Sequence, residues 1–317
     1  MRISGFSFVR NGLSLYYPVL ESVRSILSIC DEFVVAVGRG WEGDATRQAI
    51  AAIGDPRIRI LDTVWEEHHF RRGTVNAIQT DIARAACTGD WLFYLQADEV
   101  VHERYLDRVA LRCNDLIAVP EVEGLLFRFK HFWGDYDHYV ESHAWYPYEI
   151  RIIRNRPEIR SWHSAQSFRW YERYEHPWQE GATRKLNVAT IEADIYHYGW
   201  VRPPRLMQAK NKALNVVHAG AAAAEARYAA LPEDFDYGDR SLLSRFTGTH
   251  PAVMADRVRR MDWDAWSARL PGRTRLRPKH ARLKYRALTF VERTLFGGQP
   301  VFGNRNYRVI AGRGVRS

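Results

Sequence analysis

One segment of the sequence is apolar without interruption: WLFYL at 91–95, preceded by Gly89 and Asp90 and followed by the polar run QADE. The run is too short for a typical helix, and a strand in which every side chain is apolar must be covered on both faces. Such strands lie in parallel sheets whose crossover helices pack on either side. The segment therefore predicts an α/β fold.

Short apolar runs and helical periodicity alternate through the first hundred residues, as expected when parallel strands are joined by helices. We predict strands at residues 3–9, 33–37, 57–61 and 91–95. The glycine-rich loop GRGWEGDAT follows the second strand, and a short helix after it ends at Ile53. The buried stripes of the other helices are predicted to be Leu15, Val19, Val23, Ile26 and Leu27, and then Val75, Ile78, Ile82 and Ala85.

The composition of the chain changes near residue 120. Aromatic-rich β segments follow, namely LLFRFKHFW, YEIRIIRN and IRSWHSAQSF, and then a helical stretch over residues 203–231. The 317 residues, of which 46% are hydrophobic, suit one large domain with an elaboration. We therefore divide the chain into residues 1–119, 120–231 and 232–317.

The sequence has a formal net charge of +9, and the cations are concentrated after residue 270 in RTRLRPKHARLKYRAL, which contains no acid. Such a segment favours an anionic partner. Nucleic acid, an anionic membrane surface and a phosphorylated acceptor all fit this pattern, as does a basic helix that only faces solvent.

No run of about 18 apolar residues appears, and the opening MRISGFSFVRNG lacks the order of a secretory signal peptide. Cys30, Cys87 and Cys113 lie far apart without a CxxC spacing, so we expect buried thiols rather than a zinc site or a redox pair. We expect a soluble, cytoplasmic protein that the basic segment allows to sit at the inner face of a membrane.

Asp98 and Glu99 are adjacent carboxylates that follow the apolar strand. Ligands of open α/β sheets bind beyond the carboxyl ends of the strands, so polar residues at this point are candidates for a site. Buried acids are costly unless they meet a cation or hydrogen-bond donors, and Mg²⁺ or Mn²⁺ takes oxygen ligands. A metal site accounts for the pair. The alternative is that both acids begin a helix, where they complement its N-terminal dipole.

Several motifs, in their order, resemble the family 2 glycosyltransferases, especially the branch that includes bacterial lipopolysaccharide-core sugar transferases. They are the opening FSFVRNG, the strand and loop FVVAVGRGWEGDAT, and the run QTDIARAACTGDWLFYLQADEVVHE. The resemblance covers residues 3–103. It implies a GT-A fold with a mostly parallel sheet, in which residues 1–119 form the nucleotide-sugar-binding half, 120–231 the aromatic-rich acceptor-binding half, and 232–317 a helical, basic extension.

The resemblance also implies roles for donor-site residues. Asp98 matches the aspartate that bridges a divalent cation to the donor diphosphate, and His197, in IYHYGWVRPPRLMQAK, is implied as a second metal ligand or a diphosphate donor. Gln96 stands where the family usually has its first aspartate, and AVGRG replaces the usual acids after the second strand, so the donor sugar and base stay open. Each cation among the implied donor contacts also fits a solvated helix face. Those contacts are Phe8, Arg10, Asn11, Asp81, Gln96, Arg202 and Lys210.

The catalytic base is less clear, because IRSWHSAQSF keeps the family's histidine as His163 but has Ser164 in place of its glutamate. A histidine in such a segment is also common as a packed, hydrogen-bonded residue. The candidate catalytic residues are His163, Glu99 and Glu149, with Asp137 and Glu141 as further carboxylates for the base.

The segment HFWGDYDHYVESHAWYPYE is rich in aromatic side chains. Aromatic faces stack on the C–H surfaces of sugars, and they also fill protein cores. We predict that Trp133, Tyr136 and Trp145 contact the acceptor, with core packing as the alternative.

These observations predict a glycosyltransferase that moves a sugar from a nucleotide-sugar donor to a saccharide or glycolipid acceptor with Mg²⁺ or Mn²⁺. The resemblance implies inverting, single-displacement transfer, and no nucleic-acid partner is expected. Two alternatives stay open. One is a nucleotidyltransferase. Such an enzyme has a glycine- and arginine-rich phosphate loop near its N-terminus, and the opening FSFVRNG does not resemble one. The other is a non-catalytic carbohydrate-binding protein with a degenerate site, which Gln96 and Ser164 favour.

Overall fold

A computed structural model describes residues 1–266, 278–296 and 305–310. The basic segment 273–288 therefore lies partly outside the described residues. The strands are β1 Ile3–Val9, β2 Glu32–Gly38, β3 Ile58–Thr63, β4 Trp91–Tyr94, β5 Glu99–Val101, β6 Gly124–Trp133, β7 His138–Val140, β8 Tyr148–Arg154, β9 Ile159–Trp162, β10 Ser167–Tyr171, β11 Thr183–Trp200, β12 Ser244–Arg245 and β13 Tyr307–Val309. The α-helices are α1 Val19–Leu27, α2 Thr46–Ala51, α3 Thr74–Ala85, α4 Leu106–Leu116, α5 Pro204–Ala219, α6 Ala221–Ala229, α7 Ala255–Arg259 and α8 Leu283–Leu295.

The protein is mixed α/β, and its central sheet has the strand order β3-β2-β1-β4-β8-β6-β11-β10-β9. The first four strands in this order are parallel, as predicted. The prediction of a mostly parallel sheet is wrong beyond β4, where the sheet is mixed. Strand β8 is antiparallel to both β4 and β6, and β10 is antiparallel to both β9 and β11, whereas β11 is parallel to β6. Antiparallel neighbours need only short connections, and the parallel strands β6 and β11 are linked through β7, β8, β9 and β10 without a helix.

The sheet carries a packed apolar layer on each face. Side chains of α1 and α4 join one layer, and side chains of α3, β9 and β10 join the other. All four residues of β4 are fully buried, which confirms that this strand is covered on both sides. The cysteines are also buried and free, as predicted.

Helix α3 departs from its predicted buried stripe. Val75 is buried as predicted, but Ile82 is 38% exposed and Ala85 is exposed as well. Gln79 and Thr80 are buried instead. The face of α3 that packs on the sheet is therefore partly polar, and the apolar pattern predicts the buried side only at the beginning of the helix. The helical stretch predicted over 203–231 is divided into α5 and α6 at Gly220.

Strand β11 is the main element that the sequence patterns do not predict. It is 18 residues long and pairs with β5, β6, β10 and β13. Its pairing puts His197 opposite His131 of β6 on one side and opposite Glu99 of β5 on the other. The strand thereby brings the predicted late histidine next to the turn that follows β4.

Glu99 is part of a buried ion pair rather than a partner of Asp98. Its carboxylate is fully buried and receives two hydrogen bonds of 2.7 Å from Arg151 of β8, whose side chain is 1% exposed. The backbone N–H of Gln96 also donates to Glu99. Because both carboxylate oxygens of Glu99 are hydrogen-bonded inside the protein, the prediction that both acids bind one cation is wrong for Glu99. Asp98 is the acid of this pair that is left as a candidate cation ligand.

We predict that Arg151→Met strongly destabilises the protein, because it leaves the Glu99 carboxylate buried without its partner. Breaking a buried pair from one side costs about 3–5 kcal/mol. The measurement is the urea midpoint of unfolding. Arg47→Met is the matched control, since Arg47 pairs with Asp62 on the surface, where such pairs contribute little. Equal midpoints for Arg151→Met and the wild type would contradict the prediction.

Candidate functional site

A cavity of about 1100 Å³ opens at the carboxyl ends of the parallel strands. Its first wall comes from residues that follow β1, β2, β3 and β4, and its second wall comes from β8, β11 and α5. This is where ligands of open α/β sheets bind. The predicted site residues that line it are Phe8, Arg10, Asn11, Gln96, Asp98, Trp133, Trp145, Glu149, His197 and Lys210.

Asp98 and His197 are neighbours in the lining of this cavity. Both are 7% exposed, and the Oδ2 atom of Asp98 lies 3.7 Å from Nε2 of His197. A Cβ on Gly199 would come within 2.6 Å of both atoms, at 2.5 Å from Nε2 and 2.6 Å from Oδ2, so a side chain at this position would displace them. Burial alone raises the pKa of Asp98, but His197, Lys210 and Arg202 outweigh it and hold the pKa well below its usual range. Asp98 is thus an ionised carboxylate.

The ring of His197 is oriented by His131, which the sequence patterns did not single out. Nε2 of His131 lies 2.8 Å from the carbonyl oxygen of Tyr146, and its Nδ1 lies 2.9 Å from Nδ1 of His197. A carbonyl only accepts, so His131 carries its proton on Nε2. Burial, and then His197, lower the pKa of His131 to about 3, so its Nδ1 is a bare acceptor. His197 therefore donates from Nδ1, and this bond orients the ring with its Nε2 towards Asp98.

A carboxylate oxygen and an imidazole nitrogen at this separation suit one divalent cation. Mg²⁺ and Mn²⁺ sites commonly use one or two protein ligands and take the others from water and substrate phosphates. Within residues 1–266, 278–296 and 305–310, no group of three or more His, Cys, Asp or Glu side chains forms a complete metal cage. The residues present therefore fit a cation that is shared with a phosphorylated ligand.

Two of the predicted cations occupy different positions around Asp98. Lys210 lines the cavity, and burial followed by Arg202 lowers its pKa to about 7 against the opposing effect of Asp98. Arg202 is fully buried behind the wall, where it donates to the carbonyl oxygens of Leu15 and Gly199. Arg202 therefore supports the site through its charge and does not reach a ligand.

Arg10 and Asn11 follow β1 and border the glycine-rich loop. The Oδ1 atom of Asn11 accepts a 2.7 Å hydrogen bond from the backbone N–H of Trp41. Asn11 itself has φ of 55°, a left-handed conformation that asparagine tolerates better than most residues. Arg10 donates to the carbonyl of Arg39 and lies over the ring of Trp65. Both residues fix the loop, and both reach the cavity wall.

Glu149 is a half-buried acid of the cavity wall. Burial raises its pKa to about 7, with Glu99 adding to this and Arg151 and Ser167 opposing it. Glu141 instead binds Arg293 and Ser244. Glu149 is therefore the predicted carboxylate that combines access to the cavity with a pKa near neutrality.

Besides Arg202, four of the predicted site residues do not line the cavity. Asp81 binds Arg84 and the backbone N–H of Ser161, and Glu99 binds Arg151. Tyr136 lies in an apolar cluster, and the ring of His163 stacks between Trp162 and Trp178. These side chains are used for packing and internal hydrogen bonds, and we do not retain them in the site.

The tryptophans are intermediate between core and wall. Trp133 is 3% exposed, stacks on Trp200 with ring centroids 4.6 Å apart, and donates to the carbonyl of Tyr237. Trp145 packs edge-on against both rings. Only the cavity-facing edges of these rings are therefore available to a ligand.

The structure also brings Asn76, Ser164 and His218 together on the cavity wall. Ser164 drew attention in the sequence only as a replacement for a glutamate. Its partners come from α3 and from the end of α5, 88 and 54 residues away in the chain. No spacing in the sequence indicates such a cluster.

Comparison with known proteins gives limited similarity. Neither a protein-family model nor a curated protein matches the chain. The chain is similar to S. aureus TarS 1–349 in complex with UDP-GlcNAc at 14% identity, covering 71% of this chain and 70% of that one with a TM-score of 0.40. With the S. aureus TarS structure of greater length, the identity is 14% and the TM-score 0.38, and the match spans 42% of that chain.

A second similarity is to glucosyl-3-phosphoglycerate synthase from Mycobacterium tuberculosis in complex with Mn²⁺, uridine-diphosphate and phosphoglyceric acid. It has 17% identity and a TM-score of 0.27, and it covers 42% of this chain and 43% of that one.

We predict that His131 sets the tautomer of His197. Long-range ¹H–¹⁵N spectra of the protein should show His197 protonated on Nδ1, with His197→Gln used to assign its signals. His131→Phe keeps the ring but removes the acceptor, so the Nε2-protonated tautomer should appear. His131→Asn keeps an acceptor oxygen near the position of Nδ1 and should retain the original tautomer. The same tautomer in all three proteins would show that His131 has no such effect.

Proposed function

We propose that the protein is a glycosyltransferase of the GT-A type that transfers a sugar from a nucleotide-sugar donor to a saccharide or glycolipid acceptor, using Mg²⁺ or Mn²⁺. The observation that carries this proposal is the pair formed by Asp98 and Nε2 of His197, 3.7 Å apart in a cavity at the carboxyl end of β4. A family 2-like, inverting hexosyl transfer in lipopolysaccharide or polysaccharide synthesis is the finer form of the proposal, and it follows from the sequence resemblance.

Breaking the bond between a sugar and a diphosphate needs charge neutralisation at the leaving group. A divalent cation held by Asp98 and His197 would supply Lewis-acid stabilisation there. Lys210 lies beside this position and, with a pKa of about 7, gains a proton readily when an anion approaches. Arg10 offers a second cation at the entrance, next to the glycine-rich loop. The polar side of the cavity thus fits a diphosphate.

The aromatic side of the cavity fits the less polar parts of a nucleotide-sugar and its acceptor. Phe8, Trp41 and Trp65 line the wall formed by the residues after β1, β2 and β3, where a nucleobase can stack. The indole N–H groups of Trp65 and Trp145 are buried and have no hydrogen-bond partner among the described residues.

The donor is tested by calorimetry with a panel of nucleotide-sugars, with and without Mn²⁺. We expect one class of nucleotide-sugar to bind in the presence of Mn²⁺, and Asp98→Asn to lower that affinity by at least about tenfold, because it removes the ionised ligand. Asp107→Asn, an exposed acid of α4, is the matched control and should bind like the wild type.

Other outcomes of this panel contradict the proposal. Binding of a nucleoside triphosphate together with a sugar phosphate would support a nucleotidyltransferase instead. Binding of free saccharides with no nucleotide-sugar would support a non-catalytic carbohydrate-binding protein.

We further propose that α8 contacts an anionic membrane surface, where a glycolipid acceptor would lie. Within the described part of the chain, no helix is long and apolar enough to span a bilayer. Helix α8, however, exposes Leu283 and Phe290 at 76% and 68%, and Lys284 and Arg286 flank this apolar stripe. An exposed apolar stripe beside cations is typical of helices that lie on anionic lipid. The residues before α8 also reach the cavity, because Lys279 lines it.

Cosedimentation with vesicles tests this contact. We expect the protein to bind vesicles that contain phosphatidylserine, more weakly at high salt, and not to bind purely zwitterionic vesicles. The double variant Leu283→Ser/Phe290→Ser should bind about tenfold more weakly, because it removes apolar area that would enter the lipid. Leu111→Ser, which changes a 61% exposed leucine of α4, is the control. Equal binding by the two variants would refute the contact.

A further inference from the structure

A second polar cluster lies in the same cavity as Asp98 and His197. It consists of Ser164 from the loop between β9 and β10, His218 from the last turn of α5, and Asn76 from the beginning of α3. All three line the cavity, and none of them is a proposed ligand of the cation.

The hydrogen bonds of this cluster determine where its protons lie. Nδ1 of His218 is 2.8 Å from the carbonyl oxygen of Leu214, so it must donate, and Nε2 is left as an acceptor. Nε2 lies 3.3 Å from Oγ of Ser164, which receives a 2.9 Å hydrogen bond from Nδ2 of Asn76. The hydroxyl proton of Ser164 therefore points to His218, and one lone pair of Oγ is left for another donor.

The backbone around Ser164 holds its hydroxyl in this position. His163 and Ala165, on either side of it, have φ of 56° and 58°. Left-handed conformations of residues other than glycine are strained and are found where the surrounding structure enforces them, often at functional sites. A Cβ on Gly73 would lie 2.3 Å from Oγ of Ser164 and 2.7 Å from Nε2 of His218, so only glycine leaves room for the pair.

The cluster is also tied to the cation site. Nε2 of Gln96 donates a 2.9 Å hydrogen bond to the carbonyl oxygen of Ala165, the residue after Ser164. Gln96 is two residues before Asp98 in the same turn. The two clusters therefore line the same cavity and are joined by this hydrogen bond.

Building on the proposed function, we propose that Ser164 and His218 form the proton relay that activates the acceptor hydroxyl. The acceptor oxygen forms a bond to the anomeric carbon while its proton passes to Oγ of Ser164, and the proton of Ser164 passes to Nε2 of His218. The bond from the anomeric carbon to the diphosphate oxygen breaks, and its electron pair leaves with the nucleoside diphosphate. The imidazolium then returns its proton to water.

The position of His218 suits the charge that this step creates. His218 lies in the last turn of α5, a helix of 16 residues, where the partial negative charge of the helix end stabilises a cation. The carbonyl of Leu214 remains bound to its Nδ1 proton throughout. His218 is part-exposed to the cavity, so the proton has a route to solvent.

The relay is tested with the donor identified by the panel, by measuring the nucleoside diphosphate that is released when the sugar is transferred to water or to an added sugar. We expect Ser164→Ala and His218→Gly each to lower kcat by about 10²-fold or more, with little change in donor affinity, as is usual for loss of a general base. The double variant should be no slower than the slower single variant, because the two residues act as a unit. Added imidazole should restore His218→Gly by roughly tenfold, and it should not restore Ser164→Ala.

Ala219→Gly makes the same backbone change one residue later in α5, at an exposed position, and it is the control for loss of helix stability. A His218→Gly protein as active as Ala219→Gly, or one that imidazole does not rescue, overturns the relay. Loss of activity in Glu149→Gln while Ser164→Ala and His218→Gly stay active also overturns it and makes Glu149 the base. A wild-type protein that neither binds nor cleaves any donor of the panel contradicts the proposed function itself.

Discussion

Arg151 lies in β8 with 1% of its side chain exposed, and its guanidinium joins three segments of the cavity floor. It binds both oxygens of Glu99 in the segment after β4, the carbonyl of Ile150 in its own strand, and the carbonyl of Gln166 beside β10. Glu99 in turn holds the backbone N–H of Gln96. Asp98 lies inside the turn that these bonds close. The position of its carboxylate therefore depends on an ion pair that never meets a ligand.

Backbone carbonyls orient the histidines at the cavity, because each carbonyl accepts a hydrogen bond from one nitrogen of an imidazole ring. The carbonyl of Tyr146 fixes His131, which then fixes His197, and the carbonyl of Leu214 fixes His218 directly. In each case the carbonyl accepts a hydrogen bond from one ring nitrogen. The other nitrogen of His131 faces His197, and that of His218 faces Ser164. Buried polar groups that are satisfied in this way resist reorientation, because another arrangement leaves a donor or an acceptor unpaired.

The sequence predicts the first half of the fold well, because parallel strands that are buried on both faces leave uninterrupted apolar runs. The bounds of β1 match the prediction, and β4 is one residue shorter. Prediction from the sequence fails where one element has several different neighbours. Strand β11 alternates irregularly, since it pairs with four strands and changes register against β6 twice. The polar residues of α3 are buried for a related reason, because that helix packs on β9 as well as on β1 and β2.

The same distinction separates the site residues that the sequence predicts from those that it does not. Residues close to an apolar strand, such as Asp98, Arg10 and Asn11, are found at the cavity as the motifs indicate. Partners that meet only through tertiary packing, such as His131 with His197 or Ser164 with His218, leave no local pattern. Glu99 illustrates the converse error, because Asp98 lies in the turn before β5 and lines the cavity, whereas the next residue, Glu99, begins β5 and pairs with Arg151.

The charge around Asp98 is unusual for a site without a ligand. One carboxylate is accompanied by the buried cation of Arg202 and by Lys210, whose pKa burial lowers to about 7. A second acid would balance these cations, but Gln96 is neutral and Glu99 is paired with Arg151. A divalent cation would offset the two negative charges of a nucleotide-sugar diphosphate, and the further negative charge that develops on the leaving group would favour the protonated form of Lys210. Because neither Gln96 nor Glu99 adds an unpaired negative charge here, the protein repels an anionic donor less than it would with a second ionised acid beside Asp98.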